Sequence, residues 1–339
     1  MLRLPTFELH EPTTVEEACG LLSTHGATAR VLAGGTDLLP NLKHELYDCE
    51  HVVSLGRIGD LHGVRVEGDE LLIGAMTPLA EVAASPEVRA HAPALAQATS
   101  LVAGPQHRQM GTLGGNVMLD TRCQWINQSY FWRSALGFCL KKDGTVCHVV
   151  EGGKRCVAAA SNDSAPTLMT LGATLELAAA AGSRRLAVDE LFIADGIDNK
   201  STGPHELLTT VRLPLRGEGH RGAYGKLRER GSIDFPLLGI AVRLELTADG
   251  TVEDADLCVV ALQARPVRVK QVAELLAGTR VGTADFDDAV QRVAERAHKQ
   301  CKPLDNIPGD MHHRRRMVPV YARRTLQAAA AGEGPVHHL

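Results

Sequence analysis

LAGGTDLLP, residues 32–40, is the stretch on which the reading of this chain turns. The apolar run Arg30-Val31-Leu32-Ala33 reads as a buried strand that breaks at Gly34-Gly35, after which Asp37 is placed to cap a helix with Pro40 in its first turn. A second glycine-rich loop, GPQHRQMGTLGGNVM, residues 104–118, follows about 75 residues later and sets Thr112, Gly114, Gly115 and Asn116 in close order. Neither loop has the G-x-G-x-x-G spacing of a dinucleotide fold or the spacing of a P-loop. Glycine lets a backbone approach a bulky anion closely, and successive amide N–H groups in such a turn make an anion nest. Two such loops suit one pyrophosphate clamped from opposite sides; two ligand-free tight turns are the alternative.

The chain around them is globular. Its 339 residues point to two or three domains, enough to bury a large cofactor. With 36 basic against 40 acidic side chains, a net charge of −4 excludes the basic footprint of a nucleic-acid binder. No segment approaches the roughly 18 apolar residues of a membrane span and the start is not leader-like, so a cytoplasmic protein without a membrane span is expected. Thr13-Thr14-Val15-Glu16 is a capping-box pattern ahead of a helix with Val15, Ala18, Cys19 and Leu22 on one face. Strands are expected at 51–55 and 71–73, helices at 77–84 and 93–102, and a strand-rich pattern over 168–177, 186–188 and 207–213. From Gly217 the texture changes: Leu238, Ile240, Val242, Leu244 and Leu246 alternate before Asp249-Gly250, which predicts a hairpin with one buried face. Helices follow at about 266–276, 284–300 and 313–330, the last kinked or restarted at Pro319, and the Ala-rich end, residues 327–339, is expected to fray.

Between the second loop and residue 160 lies an island of different chemistry. CQWINQSYFWRSALGFCLKKDGTVCHVVEGGKRC, residues 123–156, holds four of the eight cysteines, both tryptophans and five of the twelve aromatic residues. In a reducing compartment, clustered cysteines favour metal or redox chemistry over disulfides. Cys123, Cys139, Cys147 and Cys156 are four soft ligands suited to zinc or an iron–sulfur cluster, but their spacing lacks the close C-x2-C pairs usual for either. Spacing alone leaves zinc, cluster and merely buried thiols open. Trp125, Tyr130, Phe131, Trp132 and Phe138 suit an apolar shell around such a site or a mini-core for the island. Lys141, Lys142, Lys154 and Arg155 suit charge balance, a docking face or plain solvation. Cys49, Cys258 and Cys301 are scattered and carry no site.

The ordered motifs LAGGTDLLP, TLGGN at 112–116, SNDSAP at 161–166 and YGKLRERGSIDFPLLGIAV at 224–242 resemble the FAD-binding subunit of the xanthine dehydrogenase and molybdenum hydroxylase family, over essentially the whole chain. The resemblance implies an α+β protein: a two-subdomain FAD-binding fold of the PCMH (vanillyl-alcohol oxidase-like) type over 1–216, interrupted by the four-cysteine insertion at about 120–160, and a C-terminal α+β domain over 217–330. It implies that Leu32, Ala33, Gly34, Gly35, Thr36, Asp37 and Leu38 form one pyrophosphate loop and Gly111, Thr112, Gly114, Gly115 and Asn116 the other. It further implies Asp163 on the ribose, Ala103 as a small residue approaching the cofactor and Lys226 near the flavin. No residue of this chain is expected to be catalytic.

Asn116 and Asp163 stand 47 positions apart, where the family needs only a short connection, so the insertion must lie close to the flavin. Beside a flavin, a [4Fe–4S] cluster has a use that redox-silent zinc lacks. Asp120-Thr121-Arg122-Cys123, Asn127-Gln128-Ser129 and Phe131-Trp132-Arg133 resemble the 4-hydroxybenzoyl-CoA reductase branch of the family in its beta subunit. That resemblance implies an oxidoreductase subunit with FAD and one [4Fe–4S] cluster. Its partners would be a molybdenum-cofactor large subunit and a [2Fe–2S] small subunit in a dimer of heterotrimers, with reduced ferredoxin as donor in anaerobic aromatic degradation. An oxidative molybdenum hydroxylase or dehydrogenase subunit and a zinc-stabilised flavin scaffold are the alternatives.

Overall fold

The structure, a computed structural model, describes residues 2–337 and is built on three sheets. The first contains β1 (Glu8–His10), β2 (Ala29–Leu32) and β3 (His51–Ser54), parallel, in the order β1-β3-β2. The helix Val15–His25 crosses between β1 and β2 and buries Ala18, Cys19 and Leu22 against it. Its capping box sits one residue later than expected: Thr14 Oγ1 accepts from the Glu17 N–H at 3.1 Å, and the Glu17 carboxylate accepts from the Thr13 N–H at 2.7 Å.

The second sheet contains β4 (Val64–Glu67), β5 (Glu70–Gly74), β6 (Thr174–Ala179), β7 (Gly182–Ala187) and β8 (Leu207–Pro214), antiparallel, ordered β4-β5-β8-β6-β7. Here the sequence reading needs correction: residues 168–171 belong to the helix Ser164–Leu171, not to a strand. Every residue of that helix is buried, so no polar face marks its period, and a short apolar run of this kind cannot be told from a core strand by pattern.

The third sheet contains β9 (His220–Leu227), β10 (Leu238–Leu246), β11 (Val252–Val260) and β12 (Val267–Arg268), ordered β12-β11-β10-β9. β10 and β11 form the expected hairpin, with Val242 opposite Leu257. The expectation of one buried face fails, because β10 is buried from Leu238 to Leu244 on both faces. Leu238, Ile240, Val242 and Leu244 pack against the helices Ala284–Gln300 and Met311–Ala331. Ala241, on the other face, joins Ala98 and Leu101, and Arg243 donates to the Thr170 carbonyl at 2.7 Å, so this sheet is seated on the N-terminal half of the chain.

Pro319 does not restart the last helix, which runs unbroken from Met311 to Ala331. Proline leaves the carbonyl of residue 315 without its helical donor, and the His298 Nδ1 lies 3.2 Å from that oxygen, placed to donate in its stead. Nor does the C-terminal end fray as far as it is described: the Val336 carbonyl accepts from the Lys226 N–H and the Val336 N–H donates to Tyr224, extending the β9 edge. The remainder of that expectation, His338 and Leu339, lies outside the described residues. Among the described residues no helix is long and apolar enough to cross a membrane.

Candidate functional site

Both glycine loops open onto one cavity of about 660 Å³. Gly34 to Leu38, Ala103, Gly111, Thr112, Gly114 to Asn116 and Asp163 line it, as do Ala33 and Phe235; Leu32 and Lys226 do not. The loops are adjoining, not opposed. A Cβ on Gly34 would lie 1.7 Å from the Met110 carbonyl oxygen, and one on Gly114 would lie 2.7 Å from Ala75 Cβ and the Ala75 carbonyl oxygen. Glycine is therefore required at both positions by backbone contact, whatever is bound.

Their amides differ in availability. The N–H groups of Gly34, Gly35, Thr36, Asp37 and Leu38 donate to no protein acceptor among the described residues, and Gly35 has φ +73°. Five consecutive free donors at a cavity wall make the anion nest that the residue types suggest. In the second loop the N–H groups of Gly111, Leu113, Gly114 and Asn116 bond to the carbonyls of His107, Thr77, Ala75 and Thr112, and that of Gly115 to Thr112 Oγ1. That loop therefore offers a ligand fewer free amides than the first.

Asp37 stands at the head of the helix Leu38–Lys43 but makes no capping bond with its side chain. Its carboxylate instead pairs with Arg122 and accepts from Asn41 Nδ2 at 3.0 Å, while the Arg122 guanidinium lies 4.1 Å from the Phe235 ring centroid. Burial holds the Arg122 pKa down at about 10. Ala103, with φ +43°, accepts from the Ile233 N–H at 3.0 Å and so holds the 233–235 segment to the cavity rim.

Asp163 is positioned through its neighbour: Asn116 Oδ1 accepts from the Ser164 N–H at 3.1 Å and from Ser164 Oγ at 2.6 Å. Asp163 accepts from the Tyr224 hydroxyl at 2.8 Å and lies 3.1 Å from Lys226 Nζ, all three side chains being buried. Burial pushes the Asp163 carboxyl upward, and Lys226 and Tyr224 pull against it. Lys226, expected beside the cofactor, lies behind Asp163 and also donates to the Leu101 carbonyl at 2.9 Å. Tyr224, which sequence reading passed over, is the third member; its place on β9 two residues before Lys226 puts both on one face.

The cysteine insertion leaves the domain through a closed stem. Arg122 and Ala159 exchange backbone hydrogen bonds of 2.7 and 2.6 Å. Beyond them Cys123, Cys139, Cys147 and Cys156, all free thiols, line one small cavity of about 20 Å³. Burial pushes the Cys123 thiol up to about 12 and raises that of Cys156, so thiolates here require a compensating cation. Only Trp125 of the five aromatics borders this cavity; Phe131 is 82% exposed, which corrects the expectation that all five shield it. Arg133 anchors the island instead. It is fully buried between the rings of Tyr130 and Phe138 and donates to the carbonyls of His44 and Glu45 at 2.7 and 3.0 Å.

A further cavity of about 230 Å³ lies between the two, sharing Asp37, Tyr47, Asp120 and Arg122 with the large cavity and Ile126 and Lys141 with the cysteine cavity. Lys141 is no solvated lysine: it donates to Asp120 at 2.9 Å, Thr121 Oγ1 at 2.6 Å and the Gly196 carbonyl at 2.7 Å. Nearby, burial holds the Lys200 ammonium down at about 8 while it donates to the Leu119 carbonyl at 2.9 Å. The unfolded chain then binds more protons than the native state between pH 8 and about 10.5, so stability should rise across that window. Denaturation midpoints of wild type against Lys200→Met over pH 7–10.5 should show the rise in wild type only.

A large cavity lined by an open amide nest and a buried acid is suited to an anionic cofactor. Residues 5–216 match the family described as FAD binding domain in molybdopterin dehydrogenase, and residues 223–329 the CO dehydrogenase flavoprotein C-terminal domain. The carbon monoxide dehydrogenase medium chain of Afipia carboxidovorans is 30% identical over 96% of this chain and 97% of its own length. The nicotine 6-hydroxylase medium subunit of Paenarthrobacter nicotinovorans is 27% identical over 97% and 99%. The carbon monoxide dehydrogenase structure from Hydrogenophaga pseudoflava superposes with a TM-score of 0.79 at 28% identity, covering 98% of this chain and 100% of that one. The chain belongs to the family of FAD-binding medium subunits of the xanthine dehydrogenase and CO dehydrogenase type, with the PCMH-type FAD fold and C-terminal sheet domain expected of it.

Proposed function

We propose that this chain is the FAD- and [4Fe–4S]-carrying electron-transfer subunit of a molybdenum enzyme, working beside a molybdenum-cofactor large subunit and a [2Fe–2S] small subunit, in the manner of 4-hydroxybenzoyl-CoA reductase. The observation that carries this reading is the convergence of four free cysteines on a cavity that shares Lys141 with an intermediate cavity, which in turn shares Arg122 and Asp120 with the FAD cavity. FAD, when bound, supplies the exchange between one-electron and two-electron carriers. The chain supplies position. The Gly34–Leu38 amides would hold the pyrophosphate and Asp163, kept charged by Lys226, would accept from the ribose. Arg122, clasped by Asp37 and Phe235, would set the distance from the insertion to the flavin.

The redox setting favours a cluster over zinc, since redox-silent zinc cannot exchange electrons with a flavin and an iron–sulfur cluster held by four thiolates can. In Cys139→Ser, anaerobically purified, four irons and four sulfides per chain should be lost while the flavin absorbance stays. Retention of the iron, or an iron-free wild type holding a zinc that Cys139→Ser loses, would sink the cluster.

The names of the relatives favour a second reading for direction, with electrons leaving molybdenum through this subunit in an oxidative hydroxylase or dehydrogenase. Assay of the whole complex separates the two: reductive dehydroxylation of 4-hydroxybenzoyl-CoA by reduced ferredoxin supports the first, and its absence alongside substrate-driven reduction of an acceptor supports the second.

A further inference from the structure

We propose that His10, His25 and His51 form a binding site for one divalent ion of the zinc class, closed by the Glu8 carboxylate and separate from both the cofactor cavity and the cysteine insertion. The residues come from three elements: β1, the last position of the helix Val15–His25, and the first position of β3. Glu8 stands opposite His51 in the parallel ladder, and His10, two positions on, shares its face of β1. The helix then ends with His25 laid on the other two rings, at centroid separations of 3.7 Å from His51 and 5.2 Å from His10.

One ligand nitrogen from each ring lies within 4.8 Å of the other two. His10 Nε2 and His51 Nδ1 are 3.1 Å apart, close to the roughly 3.3 Å that two imidazoles on one tetrahedral zinc would span. Glu8 offers its oxygens at 3.9 Å from His10 Nδ1 and 3.7 Å from His51 Nδ1. A hydrogen bond between two neutral rings accounts for one of these contacts. It does not account for a third imidazole brought to the same point, nor for a carboxylate beside it. The His10 and His51 side chains are 15% and 18% exposed, which leaves an ion an entry path while its ligands are held by packing. Three imidazoles and a carboxylate suit zinc and the neighbouring borderline divalent ions. The Cys49 thiol donates to the His51 carbonyl at 3.4 Å but does not belong to the group whose ligand atoms converge, and the ion's work would be to tie β1, the first helix and β3 together, as metal binding stabilises whatever state presents the preformed site.

The test uses the full chain with FAD bound, stripped by chelator and dialysed against zinc sulfate alone, comparing wild type with His25→Gln, His10→Gln and Glu8→Gln. Wild type should bind one zinc more per chain than either histidine variant, and zinc should raise its Tm by about 3 °C or more, a rise the histidine variants lack. Glu8→Gln, at an exposed side chain, should weaken zinc binding about 10-fold. Cys139→Ser should keep this zinc, which separates it from metal in the insertion and from any failure of the cluster reading. Equal zinc content and equal Tm response in wild type, both histidine variants and Glu8→Gln would overturn the proposal.

Discussion

Gly34→Ala should yield a chain that retains no FAD. The added Cβ would stand 1.7 Å from the Met110 carbonyl oxygen and 2.4 Å from its carbon, and both obstacles are backbone. A side chain could rotate away; a peptide group cannot, so the two glycine loops must separate by more than about 1 Å, and the amide row from Gly34 to Leu38 loses its shape. Overpacking of this kind costs about 1–3 kcal/mol when side chains can adjust and more when they cannot. Gly35→Ala is the internal comparison. Its φ of +73° makes a side chain strained, but the nearest atoms are the tips of Leu39 and Leu32 at 3.1 and 3.3 Å, which can yield. Flavin absorbance per chain should therefore be absent for Gly34→Ala and reduced for Gly35→Ala, and wild-type occupancy in Gly34→Ala would refute the role given to that contact.

Lys226→Met should destabilise the protein by about 3–5 kcal/mol, because it leaves the Asp163 carboxylate buried with only the Tyr224 hydroxyl to serve it. The pH dependence carries the diagnosis. Burial already pushes Asp163 upward, and removing Lys226 removes the main force opposing it. A carboxyl raised in the folded state contributes most below its unfolded value, about 3.9, and loses that contribution as pH rises through the folded value. The deficit of Lys226→Met should thus be large at pH 8 and shrink towards pH 5 in urea denaturation. Asp163→Asn combined with Lys226→Met should recover much of the stability but not FAD binding, and a double variant no better than Lys226→Met would show that the pair is not the source of the cost.

Legibility in the sequence followed how far each signal is local. The Gly34-Gly35 and Gly114-Gly115 loops stood out because backbone approach leaves only glycine, and the β10–β11 hairpin because its alternation and Asp249-Gly250 turn are short-range. The helix Ser164–Leu171 was hidden by its complete burial, and the second buried face of β10 by Ala241 and Arg243, whose partners Ala98 and Thr170 are remote in sequence. The Asp163–Tyr224–Lys226 set and the Arg133 anchor share that limit, since each is made by residues about 60 or more positions apart. The three histidines had no motif at all, with spacings of 15 and 26 that only the fold resolves.

The paired hydrogen bonds between Arg122 and Ala159 have a consequence for how such a chain diversifies. Because the stem is closed, the 36 residues between them are a detour whose two ends already meet. The entropy of closing a loop grows only logarithmically with its length, so lengthening or shortening that detour scarcely burdens the remainder of the fold. The position acts as a socket: a lineage could gain or shed such a module there by a single insertion or deletion, with Arg122 still clasped to Asp37 on the cofactor side of the seam.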